Sequence, residues 1–91
     1  PQIRSLAAEA IGRIALRRNR RSKSFKKAVD DLLLATEDQD ASVRYSAVAA
    51  LINVKSRRAA PILSRLASSD TGICPDFGSV AELAQQALLT R

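Results

Sequence analysis

One pattern of apolar and basic residues occurs twice in this chain and begins a third time. Ile3-Arg4, Ala7, Ala10-Ile11 and Ile14 return forty positions later as Val43-Arg44, Ala47, Ala50-Leu51 and Val54. Val80-Ala81, Ala84 and Ala87-Leu88 then restart it. Self-similarity at a period of about 20–50 residues marks a stack of small units, none of which can bury its own apolar face alone. Within each unit the apolar residues keep the three-to-four spacing of an amphipathic helix. These observations predict an all-α solenoid in which neighbouring helix pairs supply one another's core.

The pattern resolves into about five helices, two helix–turn–helix repeats and the first helix of a third. Pro1 suits the first turn of a helix over 3–14, because its missing N–H costs nothing there. Arg17 to Ser24 reads as a polar connection, and Phe25, Ala28, Val29, Leu32, Leu33 and Thr36 rebuild a helical stripe. Glu37 to Asp40 forms the next turn, with Asp40 placed to cap the helix that follows. Residues 42–54 leave almost no polar face, and a helix apolar all round is one covered on several sides. That helix is expected to be the most buried element. Ala59 to Ser69 forms the next helix, where Pro61 is tolerated in the first turn. Residues 71–78 carry turn chemistry and read as a loop. Ser79 and Glu82 make a capping box for a last helix running to the terminus.

Ninety-one residues suffice for one compact domain with a thin core. Alanine and leucine abound and aromatics are scarce, which suits close-packed helices better than strands. No apolar run approaches the ~20 residues of a membrane span, and no signal-peptide pattern opens the chain. The single cysteine, Cys74, excludes an internal disulfide. Together these features point to a soluble intracellular protein, cytoplasmic or nuclear. The start at Pro1, directly before a helical pattern, reads as a segment of a longer protein.

Asp40 to Leu51 resembles the unit of the HEAT-like repeats, particularly the short variety of phycobilisome lyases. That unit reads Asp-x-x-Val-Arg-x-x-Ala-x-x-Ala-Leu and is followed by a turn and an apolar second helix. Pro1 to Ile11 fits except that the Asp position precedes the chain, and Val80 to Leu88 fits only at the apolar positions. The resemblance implies repeat one over 1–38 with a basic insertion at 17–24, repeat two over 40–70, a loop at 71–78 and the first helix of repeat three over 79–91. It also implies that Asp40 and Arg44 tie neighbouring repeats together through the turns, a role Ala81 cannot take. Such repeats serve as scaffolds and adaptors, as enzyme subunits and as nucleic-acid binders, so the fold alone leaves the function open.

Little in the chain suits catalysis. There is no His, the commonest general base and metal ligand. Cys74 lacks a His to activate it and cannot build a zinc site alone, so it reads as an ordinary loop thiol. The bilin-lyase resemblance leaves it a transient covalent role in tetrapyrrole handling. Gly72 and Gly78 read as turn glycines, and Gly12, inside a helix, as a point of close packing. Asp30, Asp31, Glu37 and Asp38 read as solvating charges. The expectation is a non-enzymatic module with no cofactor and no metal.

Net charge concentrates the remaining question. Residues 1–27 carry nine Lys or Arg against Glu9 alone, a balance of +8, while residues 28–91 carry six basic and eight acidic side chains, a balance of −2. Arg17, Arg18, Arg20, Arg21, Lys23, Lys26 and Lys27 repel one another unless an anionic surface meets them. Three readings compete for them: a solvated mobile loop, docking onto an acidic protein surface, and nucleic acid or a targeting signal. As contact residues they are assigned first to an acidic protein and alternatively to the phosphates of nucleic acid. Phe25 belongs to the core, which leaves no aromatic for base stacking. None of the four arginines belongs to a helical stripe, so their loss is expected to leave stability unchanged. No membrane partner is expected. The wide Ala/Ile surface of helix 3–14 is expected to meet a preceding repeat or another subunit.

Overall fold

The computed structural model describes residues 1–90. Five α-helices follow in order: α1 (Gln2–Leu16), α2 (Lys23–Ala35), α3 (Ala41–Val54), α4 (Ala60–Ser69) and α5 (Val80–Leu89). A single 3-10 turn, Arg57–Ala59, leads into α4. Two short strands, β1 (Ile73–Cys74) and β2 (Gly78–Ser79), pair antiparallel before α5, with Ile73 opposite Ser79 and Cys74 opposite Gly78. In sequence the helices follow as α1/α2, α3/α4 and a further α5, and in space α5 packs against both α4 and α3, giving the all-α solenoid that the repeat demands.

Side-chain oxygens start most of these helices by accepting an otherwise orphaned backbone N–H. Ser22 accepts from Phe25 N at the start of α2, and Asp40 accepts from Ser42 N at the start of α3. Ser56 takes Arg58 N, and Ser79 takes Glu82 N, which is the forward half of the expected capping box. Pro61 lies in the first turn of α4, where it does no damage. Because Ser22 is the cap, α2 begins two residues before Phe25, and Lys23 and Ser24 are helical rather than part of the polar connection. The expected helix at 59–69 gives its first residue to the 3-10 turn. The expected loop at 71–78 contains the small hairpin, its turn set by Asp76 in a left-handed conformation (φ 69°).

The core centres on α3. Val43, Ala47, Val48, Ala50, Leu51 and Val54 are buried, and Asn53 is the one exposed residue of the helix. α1 packs chiefly on α3, which α2, α5 and β1 cover from other sides, while α4 packs chiefly on α5. Phe25, Val29, Leu32, Leu63, Leu66, Val80 and Ala84 complete one continuous apolar cluster. The α1–α3 crossing is tight because its residues are small: a Cβ on Gly12 would lie 2.7 Å from Ala50 Cβ. Gly12 accepts the entropic cost of a mid-helix glycine so that two backbones can meet.

α1 turns its small residues inward and leaves outward Ile3 and Ile14 of the surface expected to meet a neighbour. Ala8, Gly12 and Ala15 are buried, whereas Ile3 (82% exposed), Leu6 (57%) and Ile14 (48%) face outward. The helix therefore carries two apolar faces, a narrow one of small residues against α3 and a broad one that no described residue covers.

An Ala47→Glu substitution would put an unpaired carboxylate at a fully buried site between close-packed helices. The expected cost, about 4 kcal/mol or more, is most of the stability of a domain this size. Circular dichroism should show loss of a cooperative thermal transition, while Asn53→Glu on the same helix should melt like the unaltered chain.

Candidate functional site

Antiparallel helices place their connections at two opposite edges. The turns within pairs, 17–22 and 55–59, share one edge, and the connections between pairs, 36–40 and 70–79, share the other. Charge divides along the same line. Glu37, Asp38, Asp40, Asp70, Asp76 and Glu82 sit on the between-pair connections or the helix start beside them, and the basic segment sits on the within-pair edge.

The between-pair edge is a ladder of arginine–aspartate forks. Arg4 on α1 donates Nε (2.7 Å) and Nη2 (3.1 Å) to the Asp38 carboxylate. Arg44 on α3 donates Nε (2.8 Å) and Nη2 (3.1 Å) to Asp70 in the same way, and its Nη1 reaches the carbonyls of Asp38 (2.9 Å) and Gln39 (3.0 Å). Each aspartate also accepts the N–H two residues on, Asp40 N for Asp38 and Gly72 N for Asp70. Such bidentate charge-assisted pairs fix geometry as well as charge. Arg44 thus joins the turn before its helix to the turn after α4. Asp40, by contrast, spends its carboxylate on its own helix N-terminus.

Asp38 and Asp70 were missed as arginine partners because each looks like an ordinary turn aspartate. The signal was present: Arg4 and Arg44 are forty residues apart and Asp38 and Asp70 thirty-two, so the same pair recurs once the eight-residue insertion is removed. Gly72 serves this pair too. A Cβ there would collide with Arg44 Nη2 and lie 2.7 Å from Ala41 Cβ, so glycine is required for close approach.

The Arg4 guanidinium, joined by the Asp40 N–H, lowers the Asp38 carboxyl pKa to about 2. Burial works against ionisation of Asp70, but the Arg44 fork and the Gly72 N–H outweigh it and hold that pKa below the ordinary value. Both arginines are held charged by the same pairs.

On the opposite edge the basic segment is an ordered turn followed by the start of α2. Asn19 organises it, accepting Arg21 N on its side chain and Ser22 N and Oγ on its carbonyl. Arg20 is the exception among the candidate contact residues. Its Nη1 donates to Val54 O (2.8 Å) and Nη2 to Lys55 O (3.1 Å), capping the C-terminus of α3, while its guanidinium covers the Phe25 ring at 5.0 Å. It is a clasp between the two within-pair turns, so the expectation that all four arginines are dispensable for stability does not hold for it. Lys27 pairs with Asp31 at 2.8 Å, one turn along α2, and Asp30 pairs with Arg58. Asp30, Asp31 and Asp38 are thus ion-pair partners rather than merely solvating charges. Arg17, Arg18, Arg21, Lys23 and Lys26 are exposed and make no ion pair among the described residues. Lys23 and Lys26 lie in the first turns of α2, where the helix dipole disfavours positive charge and no acidic residue offsets them.

Cys74 is buried rather than an open loop thiol, with Sγ 3.5 Å from Ser42 Oγ. It lines a groove of about 610 Å³ between α1, α3 and the hairpin, where Tyr45 and Phe77 stack at a tilt with ring centroids 5.9 Å apart. Among the described residues no three His, Cys, Asp or Glu side chains group as a metal site, and no helix is long and apolar enough to cross a membrane.

Two outcomes are expected from this geometry. Asp70→Asn should cost about 2 kcal/mol in chemical denaturation, since it leaves a largely buried guanidinium without its anion, and Gly72→Ala should fall in the same direction. The pH dependence follows from the sign of the shifts. Asp38 and Asp70 titrate lower when folded than when unfolded, where the value is about 3.9. Their contribution is therefore complete above roughly pH 4 and is lost as pH falls through the folded value of Asp38, about 2. Denaturation midpoints should decline between those limits, and less steeply in a chain carrying both Asp38→Asn and Asp70→Asn.

A model of HEAT repeats matches residues 1–74, most of the chain. Searches of curated proteins and of solved structures each found no match. The period, the stacked helix pairs and the Arg–Asp ladder agree with the family match, and the chain belongs to the HEAT repeat family.

Proposed function

We propose that this chain is a non-enzymatic protein-interaction module whose basic turn docks an acidic partner. HEAT repeats generally mediate protein–protein interaction, and the finer assignment rests on one observation. Of the seven cations between Arg17 and Lys27, only Arg20 and Lys27 have side-chain partners among the described residues. The other five crowd one turn and one helix start, where self-repulsion and the helix dipole both raise their energy. An anionic protein surface relieves both. Nucleic acid would relieve them as well, but the only ring in the segment, Phe25, is buried under Arg20 and unavailable for stacking.

The outward face of α1 supports a second contact. Ile3, Leu6 and Ile14 form an exposed apolar surface on the helix that opens the stack, and terminal solenoid faces require a cap. We read it as the seat of a preceding repeat or another subunit, in keeping with a repeat unit over 1–38 followed by one over 40–70. The bilin-lyase reading has nothing in its favour beyond the resemblance.

The test separates docking from folding. Arg17→Ser, Arg18→Ser and Arg21→Ser together, with Arg20 retained, should leave the melting temperature unchanged and abolish retention of the partner captured from the native source. Arg20→Ala alone should instead cost about 1–2 kcal/mol of stability. Capture that survives the triple substitution would refute the docking role.

A further inference from the structure

We infer that the acidic-partner surface spans both within-pair turns and runs into the apolar groove beside the second, so that its occupant is an acidic protein segment carrying an apolar anchor. This deepens the proposed function and rests on it.

The second turn, Lys55-Ser56-Arg57-Arg58, is as basic for its length as the first, though more than thirty residues separate them in sequence. Folding sets them side by side. The Arg20 fork reaches from the first turn to the carbonyls of Val54 and Lys55 in the second. Arg17, Arg18, Arg21 and Lys23 therefore share an edge with Lys55 and Arg57. All six are exposed and none is ion-paired among the described residues. The acids of α2, Asp30 and Asp31, are engaged by Arg58 and Lys27. Opposed like charges on two adjoining turns produce a stronger field than either turn alone, and that field attracts an extended anion.

Lys55 adds an independent sign. It ends α3 in the left-handed conformation (φ 58°, ψ 43°), the position where glycine is the unstrained choice. The chain holds a cation there at a conformational cost, and strain retained at a surface position points to use.

The groove decides the class of partner. Lys55 and Arg57 line a cleft of about 630 Å³ whose apolar surface comes from Ile52, Leu63 and Ala87, between the C-terminal ends of α3 and α5. A phosphate backbone would satisfy the cations but has nothing to place in that cleft. The two exposed or half-exposed aromatic rings, Tyr45 and Phe77, belong to the hairpin side of the molecule, out of reach of bases held at this edge. A peptide with carboxylates and one large aliphatic side chain satisfies both features at once, the arrangement of an apolar anchor within a charged rim.

Fluorescence anisotropy on the whole chain tests this with three labelled probes: a short Asp/Glu-rich peptide containing leucines, the same peptide with serines for the leucines, and an oligodeoxythymidylate of equal charge. The leucine peptide should bind most tightly. Arg18→Glu with Arg21→Glu, and separately Lys55→Glu with Arg57→Glu, should each weaken it roughly five- to tenfold with helical circular dichroism unchanged. Lys55→Gly with Arg57→Ser, which relaxes the left-handed position, should weaken it in the same direction and guards against misfolding of the reversed pair. If first-turn substitutions weaken binding and neither second-turn variant does, the two-turn surface is refuted while first-turn docking stands. Equal binding of leucine and serine peptides would remove the groove, and tighter binding of the oligonucleotide would replace the protein partner with nucleic acid. Failure of the unaltered chain to bind either peptide would overturn this inference and the proposed function together.

Discussion

Everything in this domain leans on the burial of α3. Apart from Leu51 its inner residues are small or β-branched, and α1, α2 and α5 approach it on different sides, so it contributes to more helix contacts than any other element. One of these contacts, Gly12 against Ala50, has no room for a single added carbon. Apolar area buried per residue is modest in a chain this short, and close approach compensates by raising the number of dispersion contacts that each small side chain makes. The remaining helices add area to that contact rather than creating separate cores.

With packing assigned to α3, the two edges are left to polar chemistry, and they use it differently. On the between-pair edge every arginine of the ladder has its aspartate, and the turns are locked by forks and by backbone N–H groups accepted on the same carboxylates. Both arginines of the ladder are therefore neutralised where they sit. On the within-pair edge only Arg20, Lys27 and Arg58 are engaged among the described residues, and the remaining cations there are exposed. One edge therefore sets the geometry of the stack, and the other keeps charge in reserve. The same residue type serves opposite purposes at the two places, and carboxylate supply decides which.

The fold was legible because a period is a global signal: the apolar positions of α3 repeat those of α1, and the all-round apolarity of residues 42–54 already required a covered helix. The cap at Asp40 was legible because capping is local chemistry. What the sequence hid was long-range. Nothing near Arg20 in the chain identifies Val54 O and Lys55 O as its acceptors, since the contact exists only after two turns are brought to one edge. The inward face of α1 is likewise set by an element distant in sequence. Ile3, Leu6 and Ile14 belong to the surface expected to lie outward, and α3 approaches so closely that only Ala8, Gly12 and Ala15 fit between the helices. The basic surface was half legible, as Arg17–Lys27 stands out by charge density while Lys55 and Arg57 gain meaning only by adjacency.

The two surfaces proposed for partners, an apolar face on α1 and a charged edge, are both presented by a hub that must stay folded throughout. Native-state amide hydrogen exchange probes that hub residue by residue. The amides of Ala47 to Leu51 should be the slowest to exchange, opening only with global unfolding, with those of α1 and α5 exchanging faster through partial opening at the ends of the stack. Exchange in α3 as fast as that in α5, or protection centred on α2 or α4 instead, would contradict an organisation built around the buried third helix.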